Sequence, residues 1–198
     1  MDWKLLITTF ITLVVIIDPV GNTPVFLILT RYEERGRRRF AVQAVLAAAA
    51  VIFFFAFFGR YILDYLGISV ESLMVAGGIL LGIVALDMMK GRLNAEEGLA
   101  RGANVALVPL GTPLLGGPGA VVAAMLLMSQ AETAAAKSLV SAGILGALVV
   151  VWVALTLAEQ LVRLLKDTGV DLLTRVMGIL LAAIAVEFVH QAVRTWVG

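Results

Sequence analysis

Asp18-Pro19-Val20-Gly21-Asn22-Thr23-Pro24 stands inside the otherwise apolar stretch Thr12–Arg31. A carboxylate and two prolines are costly there, because proline removes an amide hydrogen and its ring clashes with the preceding helical turn, and a charge at bilayer depth costs several kcal/mol. A second apolar stretch carries Pro109-Leu110-Gly111-Thr112-Pro113-Leu114-Leu115-Gly116-Gly117-Pro118-Gly119, and Pro113 and Pro118 repeat the spacing of Pro19 and Pro24. Two matched interruptions, one in each half of the chain, predict a transport site built from discontinuous helices.

The surrounding sequence belongs in a bilayer. The chain has 198 residues, 61% of them hydrophobic, and a mean hydropathy of +1.02, beyond the apolar share of a soluble globular domain. Charge-free runs at Phe40–Gly59, Gly102–Ala131 and Ser138–Ala158 reach the roughly 20 residues that cross a hydrocarbon core of about 30 Å. Three further spans contain acids: about 5–30 with Asp18, 67–89 with Glu71 and Asp87, and 175–196 with Glu187 beside His190. Leu5–Ile17 has the length of a signal-peptide core, but no small-residue cleavage site follows it, so it reads as a span. With no cysteine, the chain has no disulfide, thiolate ligand or thiol nucleophile. A net charge of +1 gives no argument for nucleic acid as a partner, and none is expected. Neither metal-ligand spacing nor a Ser-His-Asp constellation is present, so an enzyme, a metal site and a cofactor are not expected.

Basic residues set the expected orientation. Arg31, Arg35 and Arg37–Arg39 in the first loop, Lys90, Arg92 and Arg101 in the third, and Arg163, Lys166 and Arg175 in the fifth share one side, against Lys4, Arg60, Lys137 and Arg194 on the other. That distribution puts both termini outside. Six spans then divide three plus three: a first repeat over 1–89 with spans 5–30, 40–59 and 67–89, a cytoplasmic linker over 90–101, and a second repeat over 102–198 with spans 103–130, 138–158 and 175–196. Gly78-Ile79-Leu80-Leu81 with Ala85 and Asp87 matches Gly178-Ile179-Leu180-Leu181 with Ala185 and Glu187. Because three is odd, the second repeat enters from the opposite side. The predicted fold is therefore an all-α membrane protein of six transmembrane helices in two inverted repeats, its first and fourth helices broken as Lys4–Ile17 plus Pro24–Thr30 and Val105–Gly111 plus Pro118–Gln130.

Half-helices starting near Pro24 and Pro118 present free amides to a carboxylate, and the ends near Ile17 and Gly111 present carbonyls to an ammonium. Asp18, Pro19, Gly21, Asn22, Thr23 and Pro24 from one break, and Thr112, Pro113, Gly116, Gly117, Pro118 and Gly119 from the other, are the candidate substrate-binding residues. The glycines leave room but little side-chain material to grip a large ligand, which suits a small neutral amino acid. Asp18 reads either as a proton carrier or ammonium partner, or as a cap for freed amides. Glu187 and His190, one helical turn apart, read either as a proton relay with Asp18 or as an interfacial pair. Gly77-Gly78-x-x-x-Gly82 permits close helix contact within a subunit or in a homo-oligomer.

Asp18-Pro-x-Gly-Asn-x-Pro-x-Phe26 followed by Thr30, and Pro109-Leu-x-x-Pro113-Leu-Leu-x-Gly-Pro-Gly119-Ala120, resemble the two signature segments of the MarC family of prokaryotic inner-membrane proteins. The resemblance covers nearly the whole chain. It implies a multi-pass protein of the inner membrane and, through members of the SnatA type, a proton-coupled transporter of glycine and alanine. The leading expectation is a secondary exporter or exchanger of small neutral amino acids working by alternating access. The alternative is a channel or a membrane scaffold, or a transporter of another small polar solute.

Overall fold

The computed structural model describes residues 3–30, 36–90 and 115–197. Every regular element among them is a helix: α1 (Trp3–Ile17), α2 (Asn22–Leu29), α3 (Arg37–Leu66), α4 (Val70–Met89), α5 (Pro118–Ser129), α6 (Ala134–Thr156) and α7 (Ala158–Val197). Four stretches are long and apolar enough to cross a membrane: α3, α4, α6 and Thr168–Val197 within α7. α7 is kinked at Lys166, where φ is 56°. α1, with 15 residues, is only about 22 Å long and cannot span alone. α1 and α2 are separated by a break at 18–21; α2 begins at Asn22 against the expected Pro24 and ends at Leu29 against the expected Thr30, because a proline in the first helical turn gives up an amide that has no helical partner there.

Helix ends follow local chemistry. α3 runs from Arg37 to Leu66, past the expected limits of 40 and 59, because the long Arg60 side chain can reach water and the short Asp64 lies exposed in the last turn. It stops at Gly67, whose φ of 67° is the left-handed conformation that glycine adopts without strain. Ser69 then caps α4 by accepting the Ser72 amide at 3.1 Å, and Thr133 caps α6 by accepting the Ala136 amide at 3.1 Å. The last span begins before the expected residue 175. Arg175 lies inside a helix that is continuous from Thr168, not at its edge. Of the expected fourth span, α5 covers Pro118–Ser129 against the expected Pro118–Gln130, while Val105–Gly111 lies outside the described residues.

Packing is inside-out relative to a soluble protein. α3 turns Ala41, Ala44, Ala48, Ile52, Ala56, Gly59 and Leu63 inward, while Leu46, Phe54, Phe57 and Phe58 lie exposed on its other side. Small residues let helix backbones approach where no water drives association, and large apolar ones cost nothing against lipid. α5 is enclosed on all sides: Ala120 and Val122 through Met128 are all buried. This enclosure explains how so short a helix persists at bilayer depth.

α4 and α7 cross at their matched segments. A Cβ on Gly78 would stand 2.7 Å from the Ala185 carbonyl oxygen, and one on Gly178 would stand 3.1 Å from that of Ala85. Residue 78 therefore meets 185, and 178 meets 85, so the two helices run antiparallel with buried Leu81 and Leu181 midway along each. At residue 78 any side chain would push the two backbones apart, while at 178 it would press tightly on the facing carbonyl.

Candidate functional site

α1 ends where the Asp18 amide donates to the Val14 carbonyl at 3.0 Å, and Asp18 itself takes a φ of 43°. Asp and Asn tolerate this left-handed region better than most residues, and the turn it creates lets Pro19 follow without entering a helix. Two side chains then reach across the break in opposite directions. Asn22 Nδ2 donates back to the Ile17 carbonyl at 2.6 Å. Asp18 Oδ1 accepts the Gly21 amide at 3.1 Å, while the Asp18 carbonyl accepts the Asn22 amide at 3.1 Å. Thr23 Oγ1 donates to the Val20 carbonyl at 2.6 Å.

These bonds correct one expectation. The amides at the amino end of α2 and the carbonyl at the end of α1 are already engaged within the break, so this conformation does not offer them to a ligand. The cause is local: Asp18 opens the four-residue interruption 18–21 and Asn22 follows it, close enough for each side chain to cap the helix on the far side. Asp18 thus acts as the cap that one reading of the sequence proposed. Asp18, Asn22 and Thr23 are all buried, so these bonds satisfy polar groups that lipid could not.

The second carboxylate oxygen faces elsewhere. A methyl placed on Gly21 would overlap Asp18 Oδ2 and lie 2.7 Å from Thr174 Oγ1 of α7. The missing side chain at Gly21 is what lets a buried hydroxyl from α7 stand beside the Asp18 carboxylate. Thr174 is 6% exposed, and sequence reasoning missed it. Taking Arg175 as the start of the last span left Thr174 in a loop; the signal was a hydroxyl one turn before the Gly178 motif.

The start of α5 forms the other wall. Gly117 is its N-cap with no side-chain hydrogen bond, and proline occupies its first turn. The Val121 amide bonds the Gly117 carbonyl at 3.1 Å, which leaves the Gly119 and Ala120 amides without a partner inside the helix. A Cβ on Gly119 would overlap Leu81 Cδ2 of α4 and lie 3.4 Å from Ile16 Cγ2 in the last turn of α1. The end of α1 and the start of α5 therefore meet at the buried middle of α4. Leu115 and Gly116 are buried beside them, whereas Thr112 and Pro113 lie outside the described residues.

Glu187 and His190 do not join this arrangement. Their side chains are exposed, with His190 Nδ1 3.7 Å from Glu187 Oε2, and Glu187 also accepts from Gln191 Nε2 at 2.8 Å. Glu187 lies thirteen residues beyond Thr174 on the same helix, about 20 Å at the α-helical rise.

The chain matches, over residues 3–197, the model described as MarC family integral membrane protein. A UPF0056 membrane protein of Methanocaldococcus jannaschii is 37% identical, with 98% of each chain covered. One from Archaeoglobus fulgidus is 38% identical over 92% of this chain and 89% of its own. Among Escherichia coli proteins, the UPF0056 inner membrane protein YhgN is 32% identical over 96% of this chain and 97% of its own. No solved structure matches at a significant level.

Proposed function

We propose, from the premise that this chain belongs to the MarC family of integral membrane proteins, that it is a secondary transporter of small neutral amino acids such as glycine or alanine. One observation carries the reading: a buried, capped helix break bearing a carboxylate lies beside a helix start whose first amides have no partner within the helix. The substrate carboxylate is assigned to the Gly119 and Ala120 amides at the positive end of α5. Its ammonium is assigned to Asp18 Oδ2, with Thr174 Oγ1 beside it. Gly116 and Gly117 shape the wall, and the glycines limit the ligand to a small side chain.

Alternating access follows from the proposed inverted repeats, residues 1–89 and 102–198, moving against one another around this site. The reciprocal contacts of Gly78 with Ala185 and Gly178 with Ala85 support that relation, since a two-fold axis in the membrane plane turns one contact into the other. The basic-residue asymmetry supports a prokaryotic inner-membrane protein with both termini outside.

Counterflow of labelled glycine and alanine into proteoliposomes tests the function. Uptake is expected to saturate, and Asp18→Asn is expected to abolish it while the protein still inserts and purifies as a single species. Unchanged flux in Asp18→Asn overturns the site. Linear, non-saturating flux replaces the carrier with a channel.

A further inference from the structure

A second polar site lies at the opposite end of α3 from the Arg37 cluster. A cavity of about 170 Å³ opens between the end of α3, the end of α5 and the start of α6. Arg60, Lys137, Tyr61, Ser129 and Glu132 supply its polar groups, and Phe57 forms part of its apolar wall. Lys4, Arg60, Lys137 and Arg194 are the cations that the basic-residue count assigns to the outer face. Two of these four converge on this one cavity. Among the described residues, neither Arg60 nor Lys137 forms an ion pair, so the two positive charges face the cavity against the single negative charge of Glu132.

Depth identifies the occupant. Trp3 at the start of α1, Tyr61 and Tyr65 at the end of α3 and Trp196 at the end of α7 are exposed by 60%, 74%, 91% and 56%. Large amphipathic rings at the helix ends of one face mark the headgroup level of a bilayer, and Tyr61 belongs to both that belt and the cavity lining. Below it the exposed side of α3 continues into Phe57, Phe58 and Phe54, the last two with ring centroids 5.4 Å apart. An anion held at Arg60 and Lys137 would thus sit at headgroup depth above an aromatic surface suited to acyl chains.

We infer that the Arg60–Lys137 cavity binds the phosphodiester headgroup of an anionic phospholipid, separately from the substrate site. The net positive charge of the lining complements one phosphodiester, and the aromatic strip receives the tails. This site stands on its own geometry and does not depend on the transport reading.

Binding of phosphatidylglycerol, phosphatidylcholine and free glycerol phosphate to the purified full-length protein, read by native mass spectrometry in detergent, tests it. Phosphatidylglycerol is expected to be retained over phosphatidylcholine. Its affinity should fall about five-fold for Arg60→Gln or Lys137→Gln and more than ten-fold for both, the scale of one interfacial cation each. Lys4→Gln and Arg194→Gln should leave it unchanged. The exchanged pair Arg60→Lys with Lys137→Arg, which keeps both charges, should bind as the parent does. Equal losses in the Lys4 and Arg194 variants would reduce the effect to diffuse attraction and overturn the site. Competition by glycerol phosphate as effective as that of the lipid would make it a soluble-anion site and overturn the lipid assignment.

Discussion

Gly21 and Thr174 define the candidate site as much as Asp18 does. Gly21→Ala places a methyl against Asp18 Oδ2 and Thr174 Oγ1, and neither gives way easily, because the carboxylate is held by the Gly21 amide. We expect thermal unfolding in detergent to show a loss of about 1–3 kcal/mol, the scale of overpacking, with transport lost. For Thr174 the separation of hydroxyl from shape is decisive: Thr174→Val should lower transport about ten-fold, the worth of one hydrogen bond, and Thr174→Ser should restore it. Equal activity in Val and Ser variants would remove Thr174 from the site. The residues that break the helix were legible in the sequence, since proline and a buried acid announce themselves. The reach of Asn22 to Ile17 and the place of Thr174 beside Gly21 were not, because each depends on where a second element lies.

Helix packing sets the next scale, and the α4–α7 crossing gives it a graded test. Gly78 faces the Ala185 carbonyl at 2.7 Å from a hypothetical Cβ, Gly178 faces that of Ala85 at 3.1 Å, and Gly82 has nothing within 4 Å. Backbone cannot step aside as a flexible side chain can. Gly78→Ala should therefore destabilise most, Gly178→Ala less and Gly82→Ala hardly at all, in melting temperature measured in one detergent. A different order would contradict the close crossing. Element existence was largely readable: Pro118 begins α5, and the first break follows Ile17. Ends were less so, because a charge was read as the edge of a span at Arg60 and Arg175, whereas the helices continue through both. Arg37 lies beyond that kind of reading altogether: it donates to Thr30 Oγ1 at 3.2 Å and pairs with Glu159, 122 positions away in the chain.

At the scale of the whole molecule, orientation is open to direct measurement, because a chain without cysteine needs no background removed before thiol labelling. A membrane-impermeant maleimide applied to intact cells should label Tyr65→Cys, at the exposed end of α3, and should reach Arg39→Cys only after permeabilisation. The reverse pattern would invert the topology. The enclosure of α5 bears on how such a protein responds to its lipid. Four long helices meet the acyl chains along their length and must tilt when the bilayer thickens. α5, walled by protein, makes no such adjustment, so the depth of its first turn follows its neighbours instead of the tails. Hydrophobic mismatch should then act on the proposed motion between the halves while leaving the geometry of the candidate site unchanged, and lipids of different acyl length should alter turnover more than apparent affinity.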